Sequence, residues 1–205
     1  MASEPRQATI AFVGIDGAGK TTQATRLAAW LADADIKSTY RLAATGRRVL
    51  SNTARRLGKP DSIALFGPRL ALRAETMLRH ANLSVIRQPT VLIADRYHIC
   101  QYARTRMLCP DLEPWVRHRM RRLPRPDITL FFELPPQLAH ERVTARGIDH
   151  ESVAALTALD AAYRSLPEAA NYTHIDAAGD ADTVAEAVRT RIRSGLPELF
   201  DDRHD

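Results

Sequence analysis

Apolar residues in this chain fall into short unbroken runs and into longer segments where they recur at helical spacing. Thr9 to Val13 is a run of the first kind. It ends on Gly14 and a glycine-rich turn, after which Thr21 to Ala34 carries alanine and leucine at helical intervals, so that strand, loop and helix follow in order. Ser38 to Leu42 reads as a second strand. Ser62 to Arg87 has helical periodicity, with Leu65, Leu72, Leu78, Leu83 and Ile86 expected to be buried, and Pro89 closes it. Val91 to Ala94 is wholly apolar, as a parallel strand covered on both faces should be. Asp127 to Glu133 repeats the pattern between Pro124 and Pro126 on one side and Pro135 and Pro136 on the other. Pro136 suits the first turn of a helix running to Arg146. The alanine-rich stretch from Val153 to Ala170 reads as helix, Tyr172 to Ile175 as the fifth strand and Asp180 to Arg193 as the last helix.

Short apolar strands alternating with helices predict an α/β fold, a doubly wound parallel sheet whose ligands sit beyond the carboxyl ends of its strands. No internal repeat or low-complexity linker divides the 205 residues. One domain over residues 1–205 is therefore expected, ending in a disordered tail at 199–205.

Composition then narrows the function classes. With 26% charged residues and no apolar run near the ~18 to 20 residues of a membrane span, no membrane partner is expected. Met1 to Gln7 lacks the features of an export signal, which points to a soluble, cytoplasmic protein. Cys100 and Cys109 form no CxxC and accompany no histidine pair at metal-ligand spacing, so they read as two reduced thiols. The net charge of +5 comes almost wholly from arginine, since Lys20, Lys37 and Lys59 are the only lysines. The arginines are scattered without interleaved aromatics, so nucleic acid is not the expected partner and phosphate-bearing small molecules account for the excess. The densest stretches, Arg47 and Arg48, Arg55 and Arg56, and Arg117 to Arg125, read as solvated helix faces.

The chemistry is concentrated in Gly14, Ile15, Asp16, Gly17, Ala18, Gly19, Lys20 and Thr21, which spell GxxxxGK[ST] between a predicted strand and a predicted helix. Glycines let the backbone curl until successive N–H groups face one concavity, and the helix behind adds its positive end. Lys20 is placed to reach the β- and γ-phosphates of ATP, and the Thr21 hydroxyl to ligate Mg2+. Switch GTPases share this loop, but no N-K-x-D tetrapeptide accompanies it, and the DxxG at Asp176 to Gly179 reads as a strand-end turn.

GIDGAGKTTQ at Gly14 to Gln23, VLIADRY at Val91 to Tyr97, PDITLFFELPPQLAHERVTARG at Pro126 to Gly147 and HIDA at His174 to Ala177 together resemble the thymidylate kinase family. The resemblance covers most of the chain in the right order. It implies a P-loop NTPase three-layer sandwich, with helices on both faces of a five-stranded parallel sheet and a short lid near residues 146–152. It also implies an ATP-dependent kinase acting on thymidine monophosphate or a related nucleoside monophosphate, with Mg2+, as a homodimer packed through helices. Gly14, Asp16, Gly17, Ala18, Gly19, Lys20, Thr21, Thr22 and Arg142 correspond to nucleotide-binding positions. Asp16 corresponds to the acidic residue that contacts the acceptor sugar, a helix-capping carboxylate being the other reading. Asp95 is suited to magnesium or its waters, and Arg96 to the acceptor phosphate, with an Asp95–Arg96 ion pair as the rival. The migrating phosphoryl takes an arginine from the loop or from the lid; Gly17 occupies the loop position, and Arg146, four residues from Arg142 on one helix face, is the choice in the lid.

The resemblance weakens on the acceptor side. RLAATGRR, Arg41 to Arg48, stands where the family has Arg-Glu-Pro-Gly-Gly-Thr. Arg79 matches a base-contacting arginine, but Glu75 stands one turn earlier where an aromatic ring covers thymine, with Phe66 and Tyr102 as stand-ins. Cys100, Gln101, Arg104 and Thr105 replace the Ser-Ser and Tyr-Gln positions, leaving Arg79, Arg96, Gln101 and Arg104 with Asp16 as the acceptor set. Base stacking is worth about 1 to 3 kcal/mol. Thymidine monophosphate remains the leading single acceptor, yet these losses predict that it is a poor acceptor or none; the alternatives are a specialised small-molecule acceptor or a non-catalytic ATP-binding regulator.

Overall fold

The computed structural model describes residues 7–84, 91–147 and 151–201, without the side chains of residues 48 and 49. Its contacts divide into two compact units, the first comprising residues 1–42, 88–97 and 125–205 and the second residues 43–87 and 98–124.

The first unit holds the whole sheet. Strands β1 (Ala8–Val13), β2 (Ser38–Leu42), β3 (Val91–Asp95), β4 (Ile128–Glu133) and β5 (Tyr172–Asp176) lie in the order β2-β3-β1-β4-β5, and every pair is parallel. β1 is central, which explains its unbroken burial: each of its residues meets packed atoms on both faces. Alternation decides which partner each residue meets. Ile10, Phe12, Leu130 and Phe132 share a core with Leu27 and Leu31 of helix α1 (Lys20–Asp33) and with Val184, Val188 and Ile192 of helix α8 (Ala181–Gly195). Phe12 and Phe132 stack at 5.4 Å between centroids. Phe131 points the other way, where Tyr163 of helix α7 (Val153–Arg164) lies against it and Arg164 covers its ring at 5.2 Å while bonding Glu133 at 2.8 Å. Helix α6 (Pro136–Arg146) begins at the expected proline and stops at left-handed Gly147. Asp127 anchors the start of β4 to β1: its carboxylate accepts from the Thr9 amide at 2.7 Å, and its own amide donates back to the Thr9 carbonyl. Leu199 and Phe200, expected in a disordered tail, pack onto the core, with Phe200 5.4 Å from Trp30.

The second unit is helical: α2 (Arg47–Arg56), α3 (Ser62–Ser84), α4 (His98–Leu108) and α5 (Glu113–Met120). Of these, α3 was foreseen from its periodicity, α2 and α5 only through the arginine stretches read as helix faces, and α4 was not foreseen. Helix α3 is interrupted by Gly67, at φ 74 and ψ 160, immediately before Pro68, which has no amide hydrogen for the preceding turn. Leu72 and Leu83 are buried as expected, Leu65 is half-buried, and Ile86 lies outside the described residues. Leu78 corrects the periodic reading: it is exposed, and the buried stripe instead runs through Ala71, Leu72, Glu75, Thr76 and Arg79. Polar residues occupy that stripe because they are paired. Both cysteines are free thiols.

Glu113 is nearly buried and accepts from Arg106 Nε and Nη2 and from Arg117 Nε, all at 2.7 Å. Burial alone would raise its pKa, but the two guanidiniums outweigh burial and hold it below the usual carboxylate range. A carboxyl with a depressed native pKa stabilises the fold above its unfolded value and loses that contribution as pH falls through the native one. The urea midpoint of the wild type should therefore drop steeply as pH falls below the ordinary glutamate value of 4.5. Glu113→Gln should be less stable at pH 7, by about 1 to 3 kcal/mol, with a flatter acid limb; equal slopes would show that the cluster does not govern acid stability.

Candidate active site

Parallel register brings the site together. Asp95 ends β3 opposite Phe12 of β1 and Leu42 of β2, so the carboxyl ends of three strands finish level. The chain leaves β1 through the glycine loop and enters α1 at Lys20, with Gly19 at the helix start. This places the Thr21 hydroxyl 2.5 Å from Asp95 Oδ2. Asp95 is fully buried, and its Oδ1 has no protein hydrogen-bond partner. The same Oδ2 accepts from the Tyr40 hydroxyl at 3.1 Å. Burial and the adjacent Asp95 carboxylate push the Tyr40 phenol up to about 12, so it is a donor at any physiological pH.

Asp16 does not cap the helix; Gly19 holds that place. Its carboxylate pairs with Arg96 and lies 3.9 Å from Lys20 Nζ, so one anion sits between two cations at the mouth of the loop. The Asp16 pairing of Arg96 displaces the Asp95–Arg96 pair considered above. Arg96 has φ 68, a left-handed conformation that costs any residue with a β-carbon free energy and is retained mainly where function fixes the backbone. Its amide donates to the Phe12 carbonyl at 3.2 Å, which holds the turn after β3 against β1. Lys20 is 4% exposed and donates to the Ile15 carbonyl at 2.5 Å, folded back onto its own loop.

Arg142 donates to the carbonyls of Ala177 at 2.8 Å and Ala178 at 2.9 Å, joining α6 to the turn after β5. That turn is closed locally, the Ala178 amide donating to Asp176 Oδ1 at 2.9 Å, which bears out the strand-end reading of DxxG. Arg146 is exposed and, among the described residues, reaches only the Arg142 carbonyl of its own helix, at 3.4 Å. His150 lies outside the described residues. The acceptor candidates Arg79, Gln101 and Arg104 belong to the second unit. There Glu75 is fully buried and takes Arg104 through both oxygens, at 2.9 and 3.4 Å, so neither side chain replaces a stacking ring. Tyr102 is buried beneath the Arg117 guanidinium, 4.4 Å from its centroid. Gln101 donates to Thr76 Oγ1 at 3.1 Å and keeps a buried, unpartnered Oε1; Thr105, one turn on, also keeps a buried hydroxyl without a partner.

Three residues of the first unit were missed. Tyr40 lies on an edge strand where only the parallel register reveals Asp95 as a neighbour. Gln23 and Arg26, on the first turns of α1, both donate to the Ala181 carbonyl, at 2.8 and 3.0 Å, and lock α1 to the start of α8. No spacing within one segment signals either contact.

A glycine loop leading into a helix that opens with Lys20, beside a strand-end aspartate bonded to Thr21, defines a P-loop nucleotide-binding protein. The sequence model of the thymidylate kinase family matches residues 12–188. The chain is 28% identical over 194 residues to the "Probable thymidylate kinase 1" of Saccharolobus solfataricus, covering 93% of this chain and 99% of that one. It is 30% identical to the thymidylate kinase of Burkholderia cenocepacia, over 65% of this chain and 68% of the relative. With the "Probable thymidylate kinase" of Pyrococcus abyssi the identity is 32%, over 67% and 70%. This chain belongs to the thymidylate kinase family, and it is an ATP-dependent kinase. Neither the specialised acceptor nor the non-catalytic regulator finds support among these relatives.

A β-carbon built on Gly17 would lie 2.5 Å from the Ala139 carbonyl of α6, whereas one on Gly19 meets nothing within 4 Å. Both residues have positive φ. Gly17→Ala should therefore cost about 1 to 3 kcal/mol of stability from overpacking against backbone, clearly more than Gly19→Ala, and weaken ATP binding. Urea unfolding and calorimetry with ATP check both, and equal costs at the two sites would refute the close contact.

Proposed function

We propose that this chain transfers the γ-phosphoryl of ATP to the phosphate of thymidine monophosphate, yielding ADP and thymidine diphosphate. The observation that carries this reading is the Thr21–Asp95 hydrogen bond beside Lys20, at the end of a loop built for a triphosphate. The bond from the γ-phosphorus to the β,γ-bridging oxygen breaks, and one forms to an oxygen of the acceptor phosphate. Protein groups contribute by positioning and by charge. Lys20 leaves the Ile15 carbonyl for the phosphates. Asp16 and Arg96, already joined, divide between the acceptor sugar hydroxyl and the acceptor phosphate. Arg142 is held by the carbonyls after β5 on the nucleotide side, and Arg146, without an acidic partner among the described residues, is the lid candidate for the migrating group.

Magnesium fits this chemistry. The orphaned Asp95 Oδ1 and the Thr21 hydroxyl are hard oxygen donors, and a site of few protein ligands suits an ion that retains water and takes phosphate oxygens. Held by Thr21 and Asp95, it would offset negative charge on the triphosphate. On the acceptor side, Arg79 and the unpartnered Gln101 Oε1 offer a cation and an acceptor suited to thymine O4 and N3–H. Free, buried cysteines and an ATP donor agree with a cytoplasmic enzyme.

An ATP-consumption assay over a panel of nucleoside monophosphates and unphosphorylated metabolites should rank thymidine monophosphate first. Lys20→Ala should lower kcat about 100- to 1000-fold, the effect of removing one preorganised charge worth about 3 to 4 kcal/mol, without changing the melting curve. A better acceptor outside the nucleotides, or near-normal turnover by the variant, would overturn the reading.

The same reading includes a homodimer. Leu70, Met77 and Leu78 of α3 are 55%, 43% and 44% exposed, an apolar surface that a second copy would cover. Light scattering should give a dimer for the wild type and a monomer for the Leu70→Glu, Met77→Glu double variant; a wild-type monomer at micromolar concentration would remove this part of the proposal.

A further inference from the structure

Tyr40 has no part in the loop or in the family motifs, yet its hydroxyl ends at the carboxylate on which the proposed metal site depends. Asp95 Oδ2 receives two donors from different directions: Thr21 from the first turn of α1, and Tyr40 from the edge strand β2. A carboxylate held by one donor can turn about its Cβ–Cγ bond and exchange its oxygens. Held by two, it has one oxygen left over in a fixed position. That oxygen, Oδ1, is buried and lacks a protein partner, in a residue with no exposed surface. A buried acceptor left unsatisfied is costly, about 1 to 3 kcal/mol, and its retention marks a group kept for a ligand.

The two donors are not equivalent. The Thr21 hydroxyl is itself a ligand candidate for magnesium, so its bond to Asp95 is shared with nucleotide binding. Tyr40 is the donor that the nucleotide does not recruit. Its ring is half-buried and packs against the sheet core, which supports the side chain that carries the hydroxyl. We propose that Tyr40 is a positioning residue for the nucleotide site, orienting Asp95 so that Oδ1 faces the magnesium of bound Mg–ATP. This rests on the reading of Thr21 and Asp95 as magnesium ligands.

The test is equilibrium binding by calorimetry without turnover, for ATP in EDTA and for ATP with saturating Mg2+. The ratio of the two dissociation constants is the gain that the metal supplies. For the wild type this gain should be large. In Tyr40→Phe, which keeps the ring, affinity for ATP in EDTA should be unchanged while the gain falls by about 10-fold, the lower end of the range for a group that orients a metal ligand. Tyr40→Leu removes ring and hydroxyl together. It should show the same loss of gain, with any added loss from packing appearing equally in EDTA. Titration with Mn2+ followed by electron paramagnetic resonance should reproduce the order of the three proteins.

Failure has two distinguishable forms. A wild type that gains nothing from Mg2+ overturns the metal reading and the role of Tyr40 with it. A wild type that gains normally, with Tyr40→Phe gaining as much, overturns the role of Tyr40 alone. Equal weakening of Tyr40→Phe with and without metal also overturns it, because the hydroxyl would then serve only the fold.

Discussion

The hydrogen bond from Thr21 to Asp95 is the contact around which the first unit is organised. It joins the residue that follows the loop lysine to the last residue of the neighbouring strand, two positions far apart in the chain. For it to form, β1 and β3 must be adjacent, parallel and level, and α1 must rise from the loop at one angle. Taken alone such a bond contributes about 1 kcal/mol. Its position is fixed by something larger: Ile10, Phe12 and Ile93 beneath Leu27 and Leu31, a core that holds helix and strands in one register. Apolar packing thus sets the location of a polar contact too weak to set its own.

The candidate residues are divided between the two units. Lys20, Thr21 and Asp95, with Asp16 and Arg96, all belong to the sheet-bearing unit, whereas Arg79, Gln101 and Arg104 belong to the helical one. The helical unit commits much of its charge internally. Glu75 holds Arg104, and Glu113 holds Arg106 and Arg117. A buried carboxylate with guanidinium partners is rigid, since withdrawing one partner would leave a charge in a poorly solvating interior. The unit therefore keeps its shape through ion pairs as much as through apolar contacts.

Much of the first unit was legible in the sequence because its signals are local. Strands buried on both faces read as apolar runs, and GxxxxGK[ST] requires its glycines and its lysine whatever surrounds them. The fully apolar Val91 to Ala94 ending on Asp95 announced both a strand and the aspartate at its carboxyl end. The second unit was legible only in part. Leu78 fitted a helical stripe, but the face that is buried carries Glu75, Thr76 and Arg79, and periodicity in apolar residues cannot find a face closed by paired charges. Helix α4 escaped notice for the same reason, and α5 was anticipated only as an arginine-bearing face, as their buried positions include Gln101, Thr105 and Glu113. Tyr40 was hidden differently: its partner is set by register between strands, which no single segment encodes.

The contact between Gly17 and the Ala139 backbone ties the loop to the first turns of α6. Within the family a mobile arginine is supplied by the loop or by the lid, and at first sight one substitution would move it. Here a side chain at position 17 meets main-chain atoms, which cannot rotate aside as a side chain can. Shifting the cation to the loop would require α6 to be displaced, and α6 also carries Arg142 on the turn after β5. Loop and helix therefore form a single mechanical module: moving the positive charge into the loop would call for a concerted remodelling of both.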